Sequence, residues 1–150
     1  MSAEPLMSPD ESPAQKSNRV GREYVDHVVR YYQKLGFVLQ GKNVRHASHI
    51  EQDLVFRTPD GRLVAMECKG SDETASSPGM ERTDNYWKVS GYVGQLERWR
   101  KYGDPELDID YMLVTSHLPN ADHWMGKGLI EMVSLGNLKI VCIPFTKELP

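Results

Sequence analysis

Residues 53–69, Asp53-Leu-Val-Phe-Arg-Thr-Pro-Asp-Gly-Arg-Leu-Val-Ala-Met-Glu67-Cys-Lys69, decide the fold. Two β-rich runs flank Pro59-Asp60-Gly61. Pro59 and Asp60 suit a type I turn, and Gly61 supplies the left-handed residue that closes a three-residue hairpin loop. Thr58 then lies opposite Arg62, and counting outward, Val55 faces Ala65 and Asp53 faces Glu67. Because side chains alternate along a strand, Leu63, Ala65, Glu67 and Lys69 share one face, and Val64, Met66 and Cys68 share the other. Two carboxylates directly opposite stand with Cβ atoms about 4.5–5.5 Å apart and destabilise the pairing. Something positive belongs between them. Lys69 is a diagonal neighbour, but a divalent cation with oxygen ligands neutralises the pair better and uses both acids. The pattern predicts that Asp53, Glu67 and Lys69 lie on an exposed face of the hairpin.

Outward from this hairpin, the period Val20, Tyr24, Val28, Tyr31, Leu35 predicts a helix from an N-cap at Asn18 to a stop at Gly36. Residues 1–17, rich in Pro, Ser and acids, read as a mobile tail, which leaves 18–150 as a single domain. Phe37 to Val44, Gln52 to Arg57 and Arg62 to Lys69 read as three strands. The polar stretch Gly70 to Thr83 is a loop, and Asp84 caps a helix with apolar positions Tyr86, Val89, Val93, Leu96 and Trp99. A strand over Tyr111 to Ser116, a short helix over 120–134 and a strand over Leu138 to Pro144 follow. The order is αβββαβ, then αβ, an α/β fold with a mixed sheet flanked by helices.

The 150 residues, with 39% hydrophobic and 26% charged, suit one globular domain rather than a fibrous or disordered chain. No apolar run is long enough to span a membrane. The acidic start of the chain is unlike a secretory or transit peptide, which points to the cytoplasm. Cys68 and Cys142 stand alone in apolar surroundings and read as buried thiols, which excludes a Cys-rich zinc module. The net charge of -3 hides a basic segment. Lys16, Arg19, Arg22, Arg30, Lys34, Lys42 and Arg45 outnumber Glu23 and Asp26 over 16–46, so a phosphate-binding face is compatible with the total. No P-loop, dinucleotide fingerprint or G-x-S-x-G elbow is present.

An Asp on one strand with Glu-X-Lys on its antiparallel neighbour, inside a helix, three strands, helix, strand order, resembles the PD-(D/E)XK nuclease superfamily. That superfamily includes many restriction endonucleases, archaeal-type Holliday junction resolvases and RecB-type nuclease domains. Asp53 with Glu67-Cys68-Lys69 carries the resemblance, which covers roughly residues 18–116. Gln52 stands where many members have a proline. The Glu-X-Lys tripeptide alone is a common accident, and the weight lies in its conjunction with Asp53 across a well-formed hairpin. The resemblance implies a restriction endonuclease-like core and a divalent-metal-dependent DNA nuclease, most naturally an endonuclease. Asp53, Glu67 and the Cys68 backbone carbonyl would hold Mg²⁺ or Mn²⁺, and Lys69 would assist the attack on the phosphodiester. It also implies a role for Glu23, by position on the first helix, and for Gln95, since Gln95 with Trp99 looks like the RecB-type Gln-x-x-x-Tyr motif.

DNA contacts are expected from Arg22, Arg45, Arg82, Lys88 and Arg98, on one face built from the 16–46 segment, the 70–83 loop and the helix after it. A homodimer would allow two strands to be cut. His46 and His49, three apart in an extended or loop segment, do not converge on one ion and read as DNA-contacting or structural. Two other readings compete with an enzyme. One is a catalytically inactive nucleic-acid- or protein-binding module of the same fold. The other is an interaction protein whose partner surface combines the acidic 104–110 stretch with Tyr111 and Trp124.

Overall fold

The computed structural model describes residues 10–45, 51–72, 75–102, 109–136 and 138–145. Helix α1 spans Pro13–Lys34, followed by strands β1 (Val38–Arg45), β2 (Glu51–Arg57) and β3 (Leu63–Lys69). A 3₁₀ turn at Gly79–Glu81 leads into α2 (Thr83–Tyr102), then β4 (Asp110–Thr115), α3 (Trp124–Ser134) and β5 (Lys139–Cys142). The five strands form one mixed sheet in the order β1-β2-β3-β4-β5. β1, β2 and β3 are antiparallel neighbours, and β3, β4 and β5 run parallel. His46, His49 and most of the acidic 104–110 stretch lie outside the described residues. Among the described residues no helix is long and apolar enough to cross a membrane.

The first helix starts five residues before Asn18. Ser12 caps it, accepting from the Gln15 amide at 3.1 Å while the Gln15 side chain accepts from the Ser12 amide at 2.8 Å, and Pro13 occupies the first turn. These first turns are polar and mostly exposed, so the apolar period that marks the rest of the helix is silent there. Gly36 ends it as expected, at φ +86°.

Two cores sandwich the sheet. On one face Tyr24, Val28, Val29 and Tyr32 of α1 pack on Leu54, Phe56, Val64, Met66, Cys68 and Val114. On the other, Val89, Val93 and Leu96 of α2 and Met125 and Leu129 of α3 pack on Ala65, Tyr111 and Leu113. The alternation read from 63–69 therefore survives, but both faces of β3 are covered, which is why its burial is nearly continuous. A central strand has no exposed face, so the expectation of an exposed triad fails. Tyr111, expected on a partner surface, is buried for the same reason. Cys68 is buried as expected, whereas Cys142, at the end of the edge strand β5, is exposed.

The crossover connections set the direction of the helices. Lys69 ends β3 and Thr115, its register partner, ends β4; α2 follows the first and α3 the second. Arg100, near the end of α2, donates to the Ile109 carbonyl just before β4 at 3.0 Å, so α2 runs back along the sheet. α1 begins beside the 71–82 loop, where Pro13, Lys16 and Ser17 line a cleft with Ser71 and Arg82, and ends at Gly36 beside Pro59. All three helices thus point their N-termini toward the edge where β3 and β4 end.

Candidate active site

The hairpin forms as its turn chemistry dictates. The Thr58 amide donates to the Arg62 carbonyl at 2.8 Å, the Gly61 amide donates to the Thr58 carbonyl at 2.9 Å, and Gly61 sits at φ +90°. Thr58 also hydrogen-bonds Asp60 through its side chain. From there the ladder runs Arg57 with Leu63, Phe56 with Val64, Val55 with Ala65 and Leu54 with Met66. Beyond Leu54 and Met66 the regular pairing stops, although β2 goes on pairing with β1 through Gln52 and Glu51. The Asp53 carboxylate takes over the role of a ladder partner, accepting from the Cys68 amide at 2.8 Å.

This split brings Asp53, Glu67 and Lys69 together at the end of β3. Glu67 is only 3% exposed, and its Oε1 accepts from Lys69 Nζ at 3.0 Å. Its Oε2 is buried with no donor among the described residues, and the Glu67 carboxyl hydrogen-bonds that of Asp53 when it is protonated. Burial first, and then the Asp53 charge beside it, push the Glu67 carboxyl up to about 7. Asp53 is also raised, chiefly by burial, against the opposing pull of the Cys68 amide and Lys69. For Lys69 burial acts against the charged form, but the Glu67 carboxylate outweighs it and the ammonium titrates above the ordinary lysine range. A buried acid near 7, with a second carboxyl on one side and an ammonium on the other, is short of positive charge.

Those are the features a hard divalent cation requires: two carboxylates, one with an oxygen that has no donor among the described residues, and a backbone carbonyl in reach. The amide and carbonyl of one strand residue point to the same side, so the Cys68 carbonyl faces β2 as its amide does. Among the described residues no group of three or more His, Cys, Asp or Glu side chains gathers in ligand geometry, so backbone and solvent oxygens would have to complete such a shell.

The other expected residues are spread more widely. Glu23 is exposed on α1 and paired with Arg19 at 3.1 Å, on the helix that covers the opposite face of the sheet from Glu67. The structure therefore does not bring it to the carboxylate pair. Gln95, half-buried on α2, accepts from Arg98 at 2.8 Å. Arg22 is exposed on α1, Arg45 pairs with Glu51 at 3.5 Å, Arg82 grips Asp84 through two bonds of 3.0 Å, and Lys88 lies 4.0 Å from Asp84. Because α1 and α2 cover opposite faces, these cations do not form the single face expected of them. Of the five only Arg82 lines the cleft of about 500 Å³ that opens between the start of α1 and residues 71–72 and 75–82, together with Lys16, Ser17, Ser71 and Ser76 among others. The N-termini of all three helices lie toward this end of the sheet, each carrying roughly half a positive charge, which favours anions there in a protein of net charge -3.

Two tyrosines join the site without having been expected there. Tyr111 is buried next to Glu67, its hydroxyl without a partner among the described residues; burial first and then the Glu67 charge hold it well above the ordinary tyrosine range. Tyr92, one turn before Gln95 on α2, is raised by burial and then by Glu67. Tyr92 carries a signal in retrospect, since it leads the helical face that continues to Leu96 and Trp99. On the α1 side of the sheet, Gln52 is 1% exposed and both polar atoms of its amide lack partners among the described residues. Gln52 and Glu67 thus leave buried polar atoms without partners among the described residues on opposite faces of the sheet where β2 leaves β3.

The fold defines the class: an α/β architecture shared with a solved protein–DNA complex. The structure that establishes it is that of EndoMS in complex with double-stranded DNA, 15% identical, covering 85% of this chain and 46% of that one at a TM-score of 0.52. A repair endonuclease from Pyrococcus abyssi is 18% identical over 91% of this chain and 49% of that one, with a TM-score of 0.43. EndoMS in its apo form is 17% identical over 93% and 49%, also at 0.43. The chain spans about half the length of the structures it matches. No family model and no curated protein sequence matches it.

Proposed function

We propose that the protein is a divalent-metal-dependent nuclease of the PD-(D/E)XK type that hydrolyses phosphodiester bonds in DNA at Asp53, Glu67 and Lys69. The observation that carries this reading is the buried Glu67 carboxyl, pushed up to about 7 with one oxygen lacking a donor among the described residues, beside Asp53 and paired with Lys69. A structural ion pair has no need of a third group of the same sign as its acid. Asp53, Glu67 and the Cys68 carbonyl would hold Mg²⁺ or Mn²⁺, which supplies charge neutralisation and Lewis acidity at the phosphorus under attack. Lys69 stands where its ammonium stabilises charge on the attacking and departing oxygens. The helix N-termini toward the β3/β4 edge and the cations of the cleft favour the phosphates on either side. The Tyr111 and Tyr92 rings wall the carboxylates from bulk water and thereby strengthen each of these interactions.

Relaxation of supercoiled plasmid tests the proposal. Nicking is expected with Mg²⁺ or Mn²⁺ and not with EDTA, and Glu67→Gln should remove it while leaving the melting transition cooperative. A Glu67→Gln protein that cuts as well as wild type overturns the assignment. DNA binding without cleavage under any divalent metal would leave an inactive binding module of the same fold. Cutting of both strands in one event would point to a homodimer that presents two such edges.

A further inference from the structure

Two tryptophans lie exposed at the edge of the sheet where β3 and β4 end. Trp87, in the second turn of α2, is 59% exposed, and Trp124, the first residue of α3, is 49% exposed. Their ring centroids are 5.8 Å apart with planes inclined by 36°. Tyr86 supports both edge-on, at 5.1 Å from each, and His123 lies 5.7 Å from Trp124 on the far side. The arrangement is built rather than incidental. Tyr86 is buried against α3 at Gly128, where a Cβ would come within 2.0 Å of its hydroxyl oxygen. His123 caps α3, its Nδ1 accepting from the Met125 amide at 3.2 Å. Asn85 ties the first turn of α2 to the Gly79 carbonyl at 2.8 Å.

The surroundings identify what such rings would hold. Arg82 and Lys88, five residues before Trp87 and next to it in the chain, both engage Asp84, at 3.0 Å and 4.0 Å, and Asp122 is exposed. Lys127 follows Trp124 by one helical turn and so shares its face. Tryptophan faces beside cations suit a nucleobase attached to its phosphate, because every base has a π-face and stacking on an aromatic ring tolerates any sequence. In an intact duplex the base faces are already stacked on one another, so this platform is open only to unpaired bases. It lies at the same edge of the sheet as Lys69, since α2 and α3 start where β3 and β4 end.

We propose that Trp87 and Trp124 form a stacking platform for unpaired nucleotides, which makes DNA with a single-stranded segment beside the cut, such as a fork or flap, the substrate class of this protein. The inference rests on the nuclease reading for its substrate but not for its test.

Binding is measured in EDTA, where nothing is cut, by anisotropy of a labelled splayed fork and of a blunt duplex of the same length, with 2-aminopurine in the unpaired arm reporting stacking. The fork should bind more tightly than the duplex and its 2-aminopurine should be quenched. Trp87→Ala and Trp124→Ala should each weaken fork binding about tenfold, leave duplex binding unchanged and restore the emission. Trp87→Phe and Trp124→Phe, which keep a ring, should retain most of the preference and guard against loss through misfolding. Equal affinity of wild type for fork and duplex, or alanine variants that bind the fork like wild type, overturns the platform. So does a surface that the oligonucleotide leaves unquenched, which would mark it as a protein-docking site. Metal-dependent cutting without fork preference sinks this inference alone, and fork preference without cutting sinks only the nuclease reading.

Discussion

The two ends of the β2–β3 hairpin are built to opposite standards. At the turn, every group that could be stranded is provided for. Thr58 and Arg62 exchange backbone and side-chain bonds, Gly61 takes the left-handed conformation, and Arg62 reaches across to Asp110 at 3.1 Å. At the other end, 53–54 against 66–69, the ladder stops, a carboxylate replaces a carbonyl as the acceptor for Cys68, and Glu67 keeps an oxygen without a donor among the described residues. Both ends come from one short stretch of sequence. The first is arranged for folding, and the second gives up satisfied bonds for a concentration of negative charge. Native proteins accept such local conflict where function demands it.

The largest effect expected from breaking this contrast falls at Lys69. Lys69→Met keeps the length of the side chain and removes the cation paired with Glu67, so cleavage should fall by at least about a hundredfold. With Lys69 gone the Glu67 carboxyl rises further, so residual activity should recover at higher pH, where the acid ionises. Residual activity that instead declines with pH would show that Lys69 does not act through Glu67.

Next in size is the pH dependence of stability. The folded Glu67 carboxyl, near 7, lies above its ordinary value of 4.5, so between these limits the folded state binds more protons than the unfolded state. Stability of the metal-free protein should therefore decline as pH rises from about 4.5 to about 7, by on the order of 3 kcal/mol. Chemical denaturation in EDTA at a series of pH values measures it, and Glu67→Gln should flatten that decline. A stability that climbs through this window would show that the split end carries no excess charge.

Metal should reverse the penalty. Binding to the folded state alone at a hundredfold excess over the dissociation constant adds about 2.7 kcal/mol. The melting temperature should rise with Mg²⁺ or Mn²⁺ in wild type and not in an Asp53→Asn, Glu67→Gln double variant. The same shift in both proteins would move the ion elsewhere.

The smallest effect belongs to the turn. Gly61 has open space where a Cβ would go but φ +90°, so Gly61→Ala should cost roughly 1–2 kcal/mol of stability. It should leave the cleavage rate of the folded protein unchanged. A loss of cleavage at full folding would mean that the two ends of the hairpin are coupled.

Much of the fold was legible because it rests on local rules. The hairpin register followed from Pro59-Asp60-Gly61, the stops of the helices from Gly36 and their apolar periods, and the order of elements from the alternation of patterns. The start of α1 was misplaced because its signal is the Ser12–Gln15 cap rather than hydrophobicity. Glu23 was misplaced for a different reason. A helical period shows which side of α1 is buried, but not which face of the sheet α1 covers. The same gap concealed Tyr111 and Tyr92, which meet Glu67 and Asp53 from more than twenty residues away along the chain.

The sequence by itself determined that Asp53 and Glu67 would lie on neighbouring strands just past Leu54 and Met66, since a two-stranded hairpin with a defined turn places its residues by counting up to that pair. Only the tertiary structure decided what their meeting is worth. Two antiparallel strands alone would leave the carboxylates in water, where their repulsion is screened and their titration ordinary. Packing β4 on one side of β3, α1 beneath it and α2 above buries Glu67 and raises its carboxyl to about 7. The physical reason is that pairing is a local property of the chain, whereas the dielectric around a charge is set by every element that excludes water from it.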